Sequence, residues 1–269
     1  MQVYSPLQPP LIQIELLNSN FRYREIMPSA ALMPYIACFW TINYRASGED
    51  YLHRVIPDGC TDIIFDLSPA LSSKKAFVAG LMTTFETMNL ASDCSLFGIR
   101  FYSHRIRNFI RYPISELTGR QIFLEDVLGR EAQSFDNEVR ASQGIPDAIK
   151  CAELRLRKVL LRNEYDIDSL LEPSMRFILE CQGLISIQEL ARTLCYSERH
   201  VRRVFNKELG ISPKVFLDII RFQSLLQELN KSKPADFTKL ALKYEYYDQS
   251  HFIHCFKRLY GLAPNQVYK

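Results

Sequence analysis

The C-terminal third of this chain repeats itself. Leu190-Ala191 recurs as Leu240-Ala241, an offset of 50 residues. Past a short turn the offset becomes 51: Val201 matches Phe252, Phe205 matches Phe256, Gly210 matches Gly261 and Pro213 matches Pro264. One residue has been added inside the turn. Independent packing of two cores would not put glycine and proline in register, so the pattern means duplication of one compact unit.

Each copy reads as helix, tight turn, helix. In the first, Ile187, Leu190, Ala191 and Leu194 make an apolar stripe and Cys195-Tyr196 fills the turn. Ser197 is a natural N-cap for a helix over Glu198–Leu209, with Val201, Val204 and Phe205 facing inward. A small residue, Ala191, lets the second helix cross the first closely. In the second copy Phe237, Leu240 and Ala241 form the stripe. Asp248 caps a helix to about Leu259, with Phe252, Cys255, Phe256 and Leu259 inward. A long apolar-faced helix from Pro213 to Leu229 joins the copies, and Lys231-Ser-Lys-Pro ends it.

The outward faces carry the chemistry. The first copy presents Arg199, Arg202, Arg203 and Asn206; the second presents Gln249, Ser250, Ile253, His254 and Lys257. Arginine pairs bidentately with guanine edges and also grips phosphates, so an arginine stripe beside a core stripe suits a helix lying in the DNA major groove. Charge agrees. From Leu184 to Lys269 there are 14 lysines and arginines against 8 carboxylates, whereas the other 183 residues hold 19 against 22. The positive excess sits on one end, which a phosphate-binding domain explains, although a moderately basic solvated face gives the same count.

The remaining chain is long enough for a second domain, and 47% apolar residues supply its core. Residues 35 to 103 break into aromatic and β-branched runs: Ile36–Tyr44, Tyr51–Ile56, Thr61–Leu67, Phe77–Leu81, Phe85–Leu90 and Leu96–Tyr102. Turn signals at Ala46-Ser-Gly-Glu, Pro57-Asp-Gly and Leu67-Ser-Pro separate them, predicting an antiparallel sandwich- or barrel-like domain. Pro57-Asp-Gly is expected to be a hairpin turn between the strands beside it. A helical pattern follows from His104 to Phe109. Between Leu124 and Cys181 the period is helical, with Ala148, Ala152, Leu156, Val159 and Leu160 on one face and a short helix over Ser174–Gln182 stopped by Gly183. Such helices either pair subunits or pack on their own domain. The fold class is therefore α+β. The expected division is a β-rich sensor or dimerisation domain over 1–122, a helical linker over 123–175 and a DNA-binding domain over 176–269.

Other functions find little support. Seven scattered cysteines without a C-x-x-C pair point to reduced thiols in a cytoplasm, not to a disulfide framework or zinc ribbon. Residues 1–20 read as neither signal peptide nor membrane anchor, and no apolar run spans a bilayer. His251 and His254 lie three apart with no third ligand, and His53, Asp58, Cys60 and Asp62 have no metal-site spacing, so no metal or cofactor is expected. Trp40, Tyr44, Tyr51 and Phe65 line either a small-molecule pocket or, by the simpler reading, a plain core. An enzyme with a nucleophilic cysteine is the alternative class, but Cys38 and Cys60 sit in apolar or turn contexts without a neighbouring base. A purely structural protein leaves the arginine-faced helix unexplained.

The segment Ile187-Gln-Glu-Leu-Ala, Tyr196-Ser, Phe205 and Gly210-Ile-Ser-Pro-Lys, followed by Tyr246-Tyr-Asp-Gln-Ser-His-Phe, Phe256-Lys-Arg and Gly261-Leu-Ala-Pro, resembles the AraC/XylS family of regulators. The resemblance covers roughly the last 90 residues. It implies two helix-turn-helix units entering successive major grooves on one face of double-stranded DNA. By position, Arg199, Arg202 and Arg203 in the first unit, and Ser250, Ile253 and His254 in the second, fall where the family reads bases. Asn206, Lys207, Gln249, Lys257 and Arg258 are the phosphate candidates. The family's further habits imply transcription activation, RNA polymerase as a partner, an effector-binding or homodimerising N-terminal domain, and a cytoplasmic, nucleoid-associated protein. The enzymatic alternative takes the form of a DNA-repair alkyl transferase with AraC-like helices. Two departures stand out. Cys195 and Glu245 occupy turn positions where the family usually has glycine, which costs each roughly 1 kcal/mol if the backbone is left-handed. His254 stands where the family often has arginine, which shifts the expected affinity towards the first helix. Phe39-Trp40, Ile56–Phe65, Gly98-Ile-Arg-Phe and Ile114-Ser-Glu-Leu are similar to the N-terminal domain of one AraC subgroup of unassigned ligand.

Overall fold

The structure is a computed structural model describing residues 4–13, 20–46, 51–68, 76–162, 169–231 and 237–268. A short helix α1 (Pro9–Ile12) precedes strands β1 (Phe21–Ile26), β2 (Ile36–Tyr44), β3 (Tyr51–Val55), β4 (Cys60–Asp66), β5 (Ala76–Ala79), β6 (Glu86–Leu90) and β7 (Cys94–Tyr102). Helix α2 (Ile114–Leu117) and strand β8 (Gln121–Phe123) close this part. Helices α3 (Leu124–Leu128), α4 (Arg130–Arg140), α5 (Ile145–Arg162) and α6 (Leu171–Glu180) lead into the repeat. The repeat comprises α7 (Ile187–Thr193), α8 (Glu198–Leu209), α9 (Pro213–Lys231), α10 (Phe237–Lys243), α11 (Gln249–Tyr260) and α12 (Pro264–Val267). The Ser-Lys-Pro stop signal after Lys231 and the Ser-Gly-Glu turn after Ala46 lie outside the described residues.

Six strands form one antiparallel sheet in the order β1-β2-β7-β4-β5-β8, and β3 pairs with β6 in a second sheet. Central strands bury both faces, so their sequences are near-continuously apolar. Along β2 and β7, Phe39, Phe97 and Ile99 face one core, and Trp40, Ile42 and Leu96 face another. Helices cover the first face; the two-stranded sheet, through Leu90, Tyr51 and Met88, covers the second. Gly98 pairs directly with Trp40, and a Cβ on it would lie 2.0 Å from the indole. Only glycine lets that ring lie across β7.

Several sequence expectations change. Pro57-Asp-Gly is not a hairpin turn: β3 pairs with β6, whereas β4 enters the large sheet between β7 and β5. Turn residues set where a chain reverses but not which strand it meets. β4 is buried along both faces and needs neighbours on each side, while the half-exposed β3 suits a small outer sheet. Strands β1 and β8 were not anticipated. Phe65 lies in the helix-covered core and Trp40, Tyr44 and Tyr51 in the other, so the four aromatics line no common pocket. The pattern at His104–Phe109 is a 3-10 turn over Ile106–Asn108, with Ile106, Phe109 and Ile110 buried as the pattern required. The helix expected over Ser174–Gln182 begins three residues earlier, at Leu171. Its end is fixed by Gln182 and Gly183, both at positive φ.

Ala148, Ala152 and Leu156 on α5 pack into their own domain's core. That core runs on, without a break, through Ile178 to Val201, Phe205 and Phe216 of the first repeat unit. The second unit has a separate core around Phe222, Leu225, Phe252, Phe256 and Leu259. The boundaries expected at 122/123 and 175/176 fall inside β8 and α6. Among the described residues no helix is long and apolar enough to cross a membrane.

Candidate nucleic-acid interface

The two units are duplicates at the level of single hydrogen bonds. Cys195 N–H donates to Arg192 O at 3.1 Å and Tyr196 N–H to Ala191 O at 2.9 Å; Glu245 donates to Leu242 O and Tyr246 to Ala241 O at the same two distances. Cys195 (φ 59) and Glu245 (φ 54) both take the left-handed backbone that the turn demands. The turns therefore coincide at offset 50, and the inserted residue is Tyr247, immediately before the cap of α11. Ser197 Oγ accepts the His200 N–H at 3.2 Å, and Asp248 Oδ1 accepts the His251 N–H at 2.7 Å. Each cap satisfies one orphan amide of the helix it opens. Gly210 and Gly261 end these helices in the left-handed conformation, their N–H groups returning to Asn206 O and Lys257 O.

Fixed in this way, α8 and α11 each turn one stripe to solvent. Residues 199, 202, 203 and 206 are spaced as one helical face, and all are exposed. Their equivalents, 51 residues on, are Ser250, Ile253, His254 and Lys257; all but the half-buried Ile253 are exposed. Ile253 also packs against the second core, which limits the surface it offers. The stripe is lightly held. Arg202 pairs with Glu198 at 3.3 Å, both about half exposed, a contact worth at most about 1 kcal/mol that a phosphate can displace. Arg203 meets His200 Nδ1 at 2.9 Å, and Lys207 meets Glu208 at 3.0 Å. Gln249 is exposed at the start of α11. Arg258 is drawn towards Asp218 of α9 at 3.6 Å, away from a free phosphate role. Sequence reasoning missed His200, which stacks on Tyr196 at 5.1 Å and orients Arg203, and Tyr247, 89% exposed beside the cap. The single-residue change in repeat offset was the signal that pointed to Tyr247.

The backs of both units are seated on the N-terminal domain. Thr118 Oγ1 donates to Leu209 O at 2.6 Å, Arg107 pairs with the buried Glu208, and Gly210 lies against Ser115. Midway along α9, Gln223 accepts from Leu7 N–H at 2.8 Å and donates to Pro57 O at 2.8 Å. Gly59 of the Pro57-Asp-Gly crossover packs on Phe216 and Ile220. In the second unit Tyr260 O–H donates to Gln13 Oε1 at 2.9 Å, and Gly261 abuts Phe85 and Arg54.

Polar groups inside the N-terminal domain have structural partners. Arg100 is buried among Asp58, Asp62 and Glu25 at 3.2–3.3 Å, and Trp40 Nε1 donates to Asp62 at 3.0 Å. Burial pushes the Asp62 carboxyl up, Arg100 pulls it down and Asp58 adds to the rise. His53 instead lies against Phe21, at 5.4 Å between rings. No group of three metal-ligating side chains forms among the described residues. Burial raises the thiols of Cys38 and Cys60, the opposite of what a nucleophilic thiolate needs.

Residues 190–269 match a family model described as a helix-turn-helix domain, and residues 24–123 match one described as a domain of unknown function (DUF6597). An uncharacterized HTH-type transcriptional regulator of Haemophilus influenzae is 34% identical over 83 residues, 31% of this chain and 28% of that protein. The probable transcriptional regulator LumQ of Photobacterium leiognathi is 24% identical over 152 residues, 56% of this chain and 60% of its own length. The chain thus spans under two thirds of either relative. Among solved structures, ToxT from Vibrio cholerae is 12% identical with a TM-score of 0.41, covering 92% of this chain and 97% of that one. The C-terminal domain of AraT, a response regulator from Geobacillus stearothermophilus, is 24% identical with a TM-score of 0.35, covering 39% of this chain and 87% of that domain.

Proposed function

We propose that the chain is a sequence-specific DNA-binding transcription regulator whose C-terminal tandem helix-turn-helix is of the AraC/XylS type. Helices α8 and α11 enter two adjacent major grooves on one face of the duplex. The observation that carries this reading is the pair of exposed stripes, equivalent residue for residue and each presented by the same turn and cap. Arg199, Arg202 and Arg203 read bases in the first groove; Ser250, His254 and the accessible edge of Ile253 read the second. Asn206, Lys207, Gln249 and Lys257 contact phosphates, and Arg258 joins them only by leaving Asp218. The N-terminal domain senses an effector or pairs two copies, and the output is activation through RNA polymerase in the cytoplasm.

Footprinting of the full-length chain tests the two-groove reading. Two protected patches per protomer, about 10 base pairs or 34 Å apart, are expected. A single patch means that α11 does not dock.

A further inference from the structure

One face of the large sheet changes character along its length. Near α4 and α5 it carries Phe39, Phe97 and Ile99 and is sealed. Two residues further along each strand the same face becomes cationic. Arg24 pairs with Thr41 and Arg22 with Asn43, so both guanidiniums rise from the same side as Arg45, which continues β2. Ser95 of β7 extends the polar floor through its hydroxyl contact with Asn43 at 3.2 Å. The first turn of α5 overhangs this floor with Ile145, Pro146 and Ile149, enclosing a cleft of about 950 Å³.

None of the guanidiniums of Arg22, Arg24 and Arg45 has an ion pair among the described residues. The lining carboxylate, Asp93, accepts the Ala46 N–H at 2.9 Å at the rim. A concave wall of like charge concentrates field and draws counter-ions. Protecting the edge strand β1 from aggregation needs charge, but not a cavity or an apolar roof.

We infer that this cleft binds a small organic polyanion, of the polycarboxylate or phosphate-ester kind, whose charged groups lie on the arginines and whose carbon skeleton lies under Ile145 and Ile149. The site is outside the sandwich, whose interior is filled by Trp40, Tyr23 and Ile42. It rests on the sensor reading of the N-terminal domain and names that sensor's ligand class.

Isothermal titration calorimetry of the full-length chain with citrate, pyrophosphate and acetate tests it. Citrate or pyrophosphate should saturate one site and acetate should bind at least tenfold more weakly. Each of Arg22→Gln, Arg24→Gln and Arg45→Gln should weaken binding on the order of tenfold, from loss of a charge-assisted contact. Arg130→Gln, exposed on α4 outside the cleft, should leave binding unchanged. Absence of saturable heat with citrate and pyrophosphate up to about 10 mM overturns the inference. So does unchanged binding in the three arginine variants. If a DNA duplex displaces citrate, and the same variants lose duplex affinity, the arginines belong to the DNA surface and the inference fails. Failure to bind anions with duplex affinity intact leaves the DNA-binding reading standing.

Discussion

Cys195 and Glu245 hold a backbone that side chains resist, and they do so at equivalent places in both units. A Cβ in the left-handed region costs about 1–2 kcal/mol, while glycine gives back part of that through unfolded-chain entropy. Cys195→Gly and Glu245→Gly should therefore each stabilise the chain by about 0.5 kcal/mol, read as a higher denaturant midpoint at unchanged m-value. The Glu245–Arg221 contact, at a long 3.9 Å with the Glu245 carboxylate largely exposed, is too weak to reverse the sign. His53 sets a pH response. Burial, aided by Arg100 and Arg54, pulls its pKa down to about 4. The folded state then binds fewer protons than the unfolded one between about pH 6.5 and 4. Stability is complete above that window and falls as the pH drops through it. His104 is lowered by burial too and adds in the same direction. The loss between pH 7.5 and 5 should accordingly be about 2 kcal/mol larger in the wild type than in His53→Gln. Equal losses in the two proteins would mean that His53 is not buried neutral.

At the scale of elements, α8 is the first place to test reading. Replacing a base-reading arginine by alanine should cost about 1–3 kcal/mol on the cognate duplex and relax preference at one or two positions. Lys257→Ala should instead weaken all duplexes alike and lower the salt slope by about one. Binding of each variant to cognate and scrambled duplexes at two salt concentrations separates the cases. Equal losses on both duplexes for Arg199→Ala, Arg202→Ala and Arg203→Ala would reduce α8 to an electrostatic clamp. These helices were legible in the sequence because their determinants are local: Ser197 and Asp248 as caps, Gly210 and Gly261 as stops, and apolar residues at helical spacing between them. The strands were legible as strands but not as partners. Tyr51–Val55 meets Glu86–Leu90 across thirty-odd residues, and nothing in Pro57-Asp-Gly specifies that. The same non-locality hid the buried Arg100 cluster. Glu25, Asp58, Asp62 and Arg100 meet only because β1, β4, β7 and the crossover before β4 bring them to one place. The arginine cleft was hidden too, since Arg22, Arg24 and Arg45 gain meaning only once β1 pairs with β2 and α5 overhangs them.

For the whole molecule, the question is what sets the distance between α8 and α11. Helix α9 links the two units, but each is also seated separately on the N-terminal domain, the first through Thr118 and Arg107, the second through Gln13 and Arg54. Gln223 lies between these seats, fully buried and hydrogen-bonded to Leu7 and Pro57. Gln223→Leu leaves buried backbone groups at Leu7 and Pro57 without partners, at about 1–3 kcal/mol each. The full-length chain should lose about 2–4 kcal/mol, because relaxation recovers part of that sum. In a fragment of residues 169–269 the same position faces water, and the change should be near neutral. The fragment should fold, since both units and α9 lie within it, but without the seats its two recognition helices are tied by α9 alone. Lengthening the spacing between the two half-sites by one base pair should then penalise the full-length chain more than the fragment. Competition binding with duplexes of both spacings measures this. Equal penalties would mean that α9 by itself fixes the geometry and that the N-terminal seats contribute stability without shaping recognition.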